Sequence, residues 1–62
     1  MKNQNGISGA FNNIGLVYIE MKKYNSAFTY FNEAYKINKK SGNKILMVYN
    51  LNNIALNYYV QK

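Results

Sequence analysis

Apolar and polar positions alternate with a helical period over three stretches of the chain. In the first stretch, residues 7–21, apolar or small side chains recur at the i, i+4, i+7, i+8 and i+11 spacing of one helical face. These residues are Ile7, Phe11, Ile14, Gly15 and Tyr18. A second helix is predicted over 25–39, with one face made of Ala27, Phe31, Ala34, Tyr35 and Asn38. A third is predicted over 44–60, and the sequence therefore predicts an all-α fold, an antiparallel helical hairpin plus one further helix.

Turn and cap residues separate the three stretches. Lys22-Lys23 is the predicted first turn, and Gly42 is expected to end the second helix because glycine readily adopts the left-handed conformation. Tyr24 or Asn25 is expected at the N-cap of the second helix. Residues 1–6 are polar, contain a glycine and are expected to fray.

The chain repeats itself at a spacing of 40 residues. Residues 12–18 read NNIGLVY and residues 52–58 read NNIALNY, so five of seven positions are identical and glycine is replaced by another small residue. Self-similarity at a fixed period is typical of repeat proteins, in which each unit covers its apolar face by stacking on a neighbour. Stacked units of this kind usually form binding surfaces rather than catalytic pockets.

These positions resemble the tetratricopeptide repeat family. The family pattern places a large apolar residue, a Leu-Gly-like pair and a tyrosine on one helix, then Ala, an aromatic residue and Ala on the next. The matching positions in this chain are Phe11, Ile14-Gly15, Tyr18, Ala27, Phe31 and Ala34. The resemblance implies that the small residues lie where two antiparallel helices cross closely.

The resemblance also identifies departures from the common form. The 40-residue period resembles the longer variety found in kinesin light chains and bacterial signalling regulators. Lys22 occupies the position where glycine normally adopts a left-handed turn, which costs about 1 kcal/mol. Residues 1–62 are interpreted as a single domain or fragment, a solenoid piece of about 1.5 repeats.

That count leaves one face of the third helix without a partner helix. The residues expected on it are Leu51, Ile54, Ala55 and Tyr58. An uncovered apolar face predicts either a longer array or a homo-oligomer that forms through the third helix.

Composition narrows the chemistry that the chain can perform. The 62 residues contain no cysteine, no histidine and only two acids, Glu20 and Glu33. Zinc sites made of Cys and His are excluded, and no base is present to activate a serine or tyrosine. We therefore expect no enzymatic activity, no metal site and no cofactor.

The charge is basic, with a formal net charge of +6 carried by eight lysines and no arginine. Lys36, Lys39, Lys40 and Lys44 surround the second turn. Nucleic-acid binding remains an alternative, but the absence of arginine argues against it, because bidentate base and phosphate contacts favour the guanidinium group. Twelve asparagines accompany the lysines, a mixture typical of AT-rich genomes.

The sequence contains no apolar run near the roughly 20 residues that span a bilayer, so no membrane contact is expected. Residues 1–5 lack an apolar signal core, which favours the cytoplasm.

By resemblance, one flank of the first helix and its counterpart on the third line the concave groove in which the family holds peptides. The predicted peptide-binding residues are Asn12, Asn13, Leu16, Ile19, Glu20, Tyr49, Asn52, Asn53, Leu56 and Tyr59. An asparagine amide both donates and accepts hydrogen bonds, so the paired asparagines could bind a passing peptide backbone of any sequence. Family members that bind a terminal carboxylate do so with Lys and Asn on these helices. The matching positions of this first helix are Asn12 and Leu16, so carboxylate binding is not expected.

The leading hypothesis is thus a protein-interaction module that binds a peptide or a partner helix on its concave face. The alternative is a structural spacer or self-association segment of a larger signalling regulator. A lysine-rich nucleic-acid-binding helical domain is the weakest of the three.

Overall fold

A computed structural model describes residues 4–61 and shows three α-helices in this part of the chain. Helix α1 spans Gln4–Glu20, α2 spans Tyr24–Ser41 and α3 spans Lys44–Val60. Helix α2 packs against both α1 and α3, and the three helices together measure 37 × 16 × 12 Å. The predicted all-α fold, a hairpin plus one further helix, is confirmed.

The first helix begins earlier than the pattern predicted. Residues 4–6 form its first turn, so the expectation that they fray was wrong; residues 1–3 lie outside the described residues. Gly6 lowers helix propensity by about 1 kcal/mol relative to alanine, but it leaves the backbone hydrogen bonds intact. The helix ends at Glu20 because the next residues form the turn to α2.

Both turns use the same backbone motif. Lys22 has φ 62°, its amide donates to Ile19 O at 2.9 Å, and the Lys23 amide donates to Tyr18 O at 2.8 Å. Gly42 has φ 76°, and the following amide, that of Asn43, reaches Asn38 O at 2.9 Å. These paired bonds satisfy the last carbonyls of α1 and α2. The predicted left-handed positions at Lys22 and Gly42 are confirmed.

The N-caps differ from one helix to the next. Neither Tyr24 nor Asn25 caps α2: the N-cap position falls on Lys23, whose side chain makes no capping bond. Because Tyr24 is already helical, the Asn25 side chain lies within the first turn and is exposed. Helix α3 has a true cap, since Asn43 Oδ1 accepts from the Leu46 amide at 3.1 Å.

The core lies along the line where α2 crosses α1. Ala27, Phe31 and Ala34 are fully buried, and the Phe31 ring covers Gly15. On one side of this crossing the ring of Tyr30 stacks on Tyr18, with ring centroids 5.5 Å apart, and also contacts Phe11 at 5.8 Å. The small residues therefore lie at a close helix crossing, as the family pattern implies.

Two isoleucines face directions that the sequence did not predict. Ile14, expected in the core of the hairpin, is 37% exposed, and Ser8 is buried instead. Ile54, expected on the uncovered face of α3, is half-buried. A step of 100° per residue leaves the edge of a helical face undefined by one position, so periodicity alone does not separate a core residue from its neighbour.

Candidate functional site

A chain of asparagine side chains connects the three helices. Asn38 of α2 donates from Nδ2 to Asn50 Oδ1 of α3 at 2.7 Å, and Asn50 donates to Asn12 Oδ1 of α1 at 3.3 Å. Asn53 donates to the same Asn12 oxygen at 2.8 Å. Asn38 and Asn50 are almost fully buried, whereas Asn12 and Asn53 are half-buried. The amides thus bring α1 and α3 together, although the main packing of each helix is against α2.

A cavity of about 250 Å³ opens beside this chain of amides. Its lining residues come from all three helices: Ser8, Gly9, Asn12, Asn13, Asn38, Leu46, Tyr49 and Asn50. All of them are uncharged, so the cavity offers amide, hydroxyl and apolar groups but no formal charge.

Three of the predicted site residues, Asn12, Asn13 and Tyr49, lie together in this cavity. The others are outside its lining, and Asn53 is connected to it only by its hydrogen bond to Asn12, which does line the cavity. Asn13, Glu20, Tyr49, Asn52, Leu56 and Tyr59 are exposed, whereas Leu16 and Ile19 are half-buried. The duplicated asparagines therefore divide into two kinds: Asn12 and Asn53 bond to each other, while Asn13 and Asn52 face solvent.

Sequence reasoning missed Asn50, which occupies the middle of the amide chain, and Ser8, which lines the cavity. Asn50 corresponds to Ala10 in the 40-residue repeat, so comparing the two copies did not single it out. A signal existed in Asn38, which shares the apolar stripe of Ala27, Phe31 and Ala34. A polar residue on a buried face needs a partner, and that partner is Asn50.

Two buried amide oxygens have no hydrogen-bond partner among the described residues, Asn38 Oδ1 and Asn57 Oδ1. The other end of each amide is bonded: Asn57 Nδ2 donates to Tyr24 O at 2.9 Å, and Asn38 Nδ2 donates to Asn50. A buried oxygen without a donor costs about 1–3 kcal/mol. The two amides therefore give the interface between α2 and α3 polar contacts of defined geometry, but their unbonded oxygens lower its stability.

The charged side chains lie apart from the cavity. Lys36 and Glu33 approach within 3.7 Å on exposed positions of α2, a contact of little energetic weight. Lys39, Lys40 and Lys44 are also exposed around the second turn. Within residues 4–61, no group of three or more histidine, cysteine or acidic side chains could hold a metal ion. No helix in the same range is long and apolar enough to cross a membrane.

Comparison with known families gives one match. The family model described as Tetratricopeptide repeat matches residues 8–41, which is more than half of the chain and covers most of α1 and all of α2. No curated protein matches the chain, and no solved structure does either. The matched repeat is a non-catalytic scaffold motif that generally mediates contacts between proteins.

Proposed function

The chain belongs to the tetratricopeptide repeat family, and on this basis we propose that it binds a peptide or a partner helix on the face that α1 and α3 share. We take residues 1–62 as one interaction unit. The observation that carries the proposal is the uncharged, amide-lined cavity to which all three helices contribute.

The amides on this face keep hydrogen-bonding capacity for a ligand. The bond from Asn53 Nδ2 to Asn12 Oδ1 occupies one polar atom of each side chain. Asn12 Nδ2 and Asn53 Oδ1 are left without partners among residues 4–61. The side chains of Asn13 and Asn52 are exposed and make no hydrogen bond within that range. A peptide backbone has one donor and one acceptor per residue. The amide oxygens can accept from the donor, and the amide nitrogens can donate to the acceptor.

Apolar and aromatic residues extend the proposed site beyond the cavity. Tyr49 and Tyr59 are 58% and 74% exposed, and large rings with a polar tip are typical contact residues in peptide-binding surfaces. Leu16, Ile19 and Leu56 supply aliphatic surface. The predicted set contains one acid, Glu20, and no cation, so a peptide ligand is expected to bind as an extended chain through its backbone rather than through a terminal carboxylate.

Selection from a phage-displayed library of random peptides, followed by affinity measurements on the selected peptides, tests the proposal. Asn13→Ala and Asn52→Ala are the informative variants because their side chains bond to no other helix. Each should weaken binding about tenfold, the loss of one to two hydrogen bonds, with helicity unchanged.

Asn25→Ala is the matched control, an exposed asparagine on α2 outside the proposed site. It should bind as the wild type does. If no peptide is selected, or if Asn13→Ala and Asn52→Ala bind as tightly as the control, the proposed site is wrong.

We also infer that the repeat is of the longer, 40-residue variety resembling kinesin light chains and bacterial signalling regulators. The duplication of residues 12–18 at 52–58 supports this period. The chain would then carry one complete helix pair, α1 and α2, and the first helix of the next.

A second candidate function is self-association in a larger signalling regulator. It is supported by the outer face of α3, where Leu51 and Tyr58 are 50% and 57% exposed and Ala55 is exposed between them. Sedimentation velocity at rising concentration tests it: a dimer that Leu51→Lys abolishes would favour self-association, and a strict monomer would exclude it.

A further inference from the structure

The floor of the amide-lined cavity carries a hydrogen-bond acceptor that the described part of the chain leaves unused. Asn38 and Asn50 are 1% and 2% exposed and line its inner end, whereas Asn13 and Tyr49 are exposed at its mouth. Asn38 Oδ1 is buried and has no hydrogen-bond partner among residues 4–61. Because a buried oxygen without a donor is unfavourable, a group that donates to it would be stabilised here.

Three of the amides that line this cavity are joined head to tail. Asn38 Nδ2 donates to Asn50 Oδ1 at 2.7 Å, and Asn50 Nδ2 donates to Asn12 Oδ1 at 3.3 Å. An acceptor at the start of the series, Asn38 Oδ1, and a donor at its end, Asn12 Nδ2, have no partner among the described residues. One further group that donates to the first and accepts from the second would close the series into a ring of four.

A primary amide is the group that completes such a ring. It presents an N–H and a C=O side by side, so it can donate to Asn38 Oδ1 and accept from Asn12 Nδ2. A backbone peptide group does not do both, because in its planar trans form the N–H and the C=O point in opposite directions. A ring that runs in the opposite direction requires the same group, since each amide then exchanges the roles of its oxygen and its nitrogen.

The absence of charge around the cavity argues against ionised side chains as ligands. All of its lining residues are neutral, so a buried ammonium or carboxylate group would have no counter-ion there. A carboxylate also has no donor for Asn38 Oδ1, and an ammonium group has no acceptor for Asn12 Nδ2. A hydroxyl group can donate and accept, but it does so through a single atom and spans a shorter gap.

The size of the cavity favours one side chain, and its apolar wall favours the longer of the two natural amides. Its volume of about 250 Å³ lies below the roughly 300–1,000 Å³ of pockets that hold whole small molecules. Leu46 is half-buried in the lining and Tyr49 is exposed at the mouth, so both can contact methylene groups. Glutamine has two side-chain methylene groups and asparagine has one, so glutamine reaches further from a backbone at the mouth.

We propose that this cavity binds the glutamine side chain of a peptide, whose primary amide closes the ring with Asn38, Asn50 and Asn12. The inference rests on the peptide-binding function proposed above and adds the side chain that the peptide carries. A donor on Asn38 Oδ1 polarises this amide and strengthens its bond to Asn50, so binding also tightens the contact between α2 and α3.

Propionamide, which reproduces a glutamine side chain, tests the cavity without a peptide. Titrated into the full chain, it should shift the NMR signals of the Asn38, Asn50 and Asn12 side-chain amides along one saturable curve. Propionate, the counterpart of glutamate, should leave them unchanged, although the net charge of +6 attracts anions.

The internal control of this titration is the Asn57 amide, which is also buried with an unbonded oxygen but lies outside the cavity lining. Its signals should not move. Equal shifts with propionamide and propionate, or no shift with either, would overturn the proposal.

Peptides selected from the random library provide a second test. They should share a glutamine, and its replacement by methionine or glutamate, which are similar in size, should weaken binding about tenfold through the loss of one to two hydrogen bonds. Selected peptides that bind without a shared glutamine would overturn this inference and leave the proposed peptide binding intact. If no peptide is selected, both are wrong.

A residue exchange in the chain separates the amide ring from the rest of the peptide-binding face. The double variant Asn38→Leu with Asn50→Leu removes two members of the ring and leaves Asn13 and Asn52 in place. With its helicity unchanged, it should still bind the selected peptides but prefer the methionine form to the glutamine form, which is the reverse of the wild type. A double variant that keeps the preference for glutamine would contradict the ring.

Asn57→Leu is the matched control for the loss of a buried asparagine. Asn57 does not line the cavity, so this variant should keep the wild-type preference for glutamine. Loss of the preference in Asn57→Leu as well would mean that it depends on the packing of α3 and not on the ring, and would overturn the proposal.

Discussion

The ring of Phe31 lies against the backbone at Gly15 so closely that a β-carbon at residue 15 would stand 2.7 Å from Cδ1 and 2.9 Å from Cζ. Phe31 is fully buried together with Ala27 and Ala34, so a shift of its ring would have to displace other core atoms. The close approach of α1 and α2 depends on this pair.

Gly15→Ala should therefore destabilise the chain by about 1–3 kcal/mol, because the added methyl group overpacks the crossing. Urea unfolding followed by circular dichroism measures it. Gly9→Ala is the matched control, since a β-carbon there meets nothing within 4 Å; it should stabilise α1 by about 0.5–1 kcal/mol. Equal effects of the two substitutions would show that Phe31 does not restrict the crossing.

Lys22→Gly should raise stability by up to about 1 kcal/mol. Lys22 has φ 62°, a conformation that is unfavourable for a residue with a β-carbon, and relief of that strain outweighs the added freedom of the unfolded chain. Thermal unfolding provides the measurement. Lys23→Gly has the same change of charge but starts from φ −100°, so it should give no gain. If Lys23→Gly also raised stability, the gain at Lys22 would come from the lost charge rather than from relief of backbone strain.

Asn50→Ala should destabilise the chain by about 2 kcal/mol, because it leaves the buried Asn38 amide without its partner. The double variant Asn38→Leu with Asn50→Leu should recover most of that loss, since two apolar residues need no hydrogen bond. Asn52→Ala, at an exposed position, should change stability by less than about 0.5 kcal/mol. If the loss in the double variant equalled the sum of the losses of Asn38→Leu and Asn50→Leu measured singly, the pairing would be contradicted.

Asn43→Ala should cost about 1 kcal/mol through loss of the cap of α3, whereas Asn43→Ser, which keeps a capping oxygen, should cost little. The unfolding midpoint in urea distinguishes them. Asn25→Ala should have almost no effect, because the structure gives Asn25 no capping role. A loss at residue 25 equal to that at 43 would contradict the observed start of α2.

The fold could be predicted from a small number of residues. The duplicated segments 12–18 and 52–58 identified α1 and α3, and Gly15, Ala27 and Ala34 indicated the close crossing. Lys22 and Gly42 marked both turns. These signals are strong because a close approach needs a small side chain, and a left-handed residue ends a helix.

The details of the site were harder to predict. Asn50 and Asn38 bond only because α2 and α3 meet at that level, and neither side chain reveals its direction in a sequence where asparagine is common. The edge of each helical face was uncertain by one position, so Ile14 was assigned to the core in place of Ser8. The predicted peptide-binding residues themselves stay a prediction.

The hydrogen-bonded amides of Asn38, Asn50, Asn12 and Asn53 determine how this part of the protein responds to a change of pH. Amide groups neither gain nor lose a proton in aqueous solution near neutrality. The spacing between α1 and α3 that these amides set should for this reason remain the same when the surroundings acidify, so the cavity beside them would keep its shape across that change.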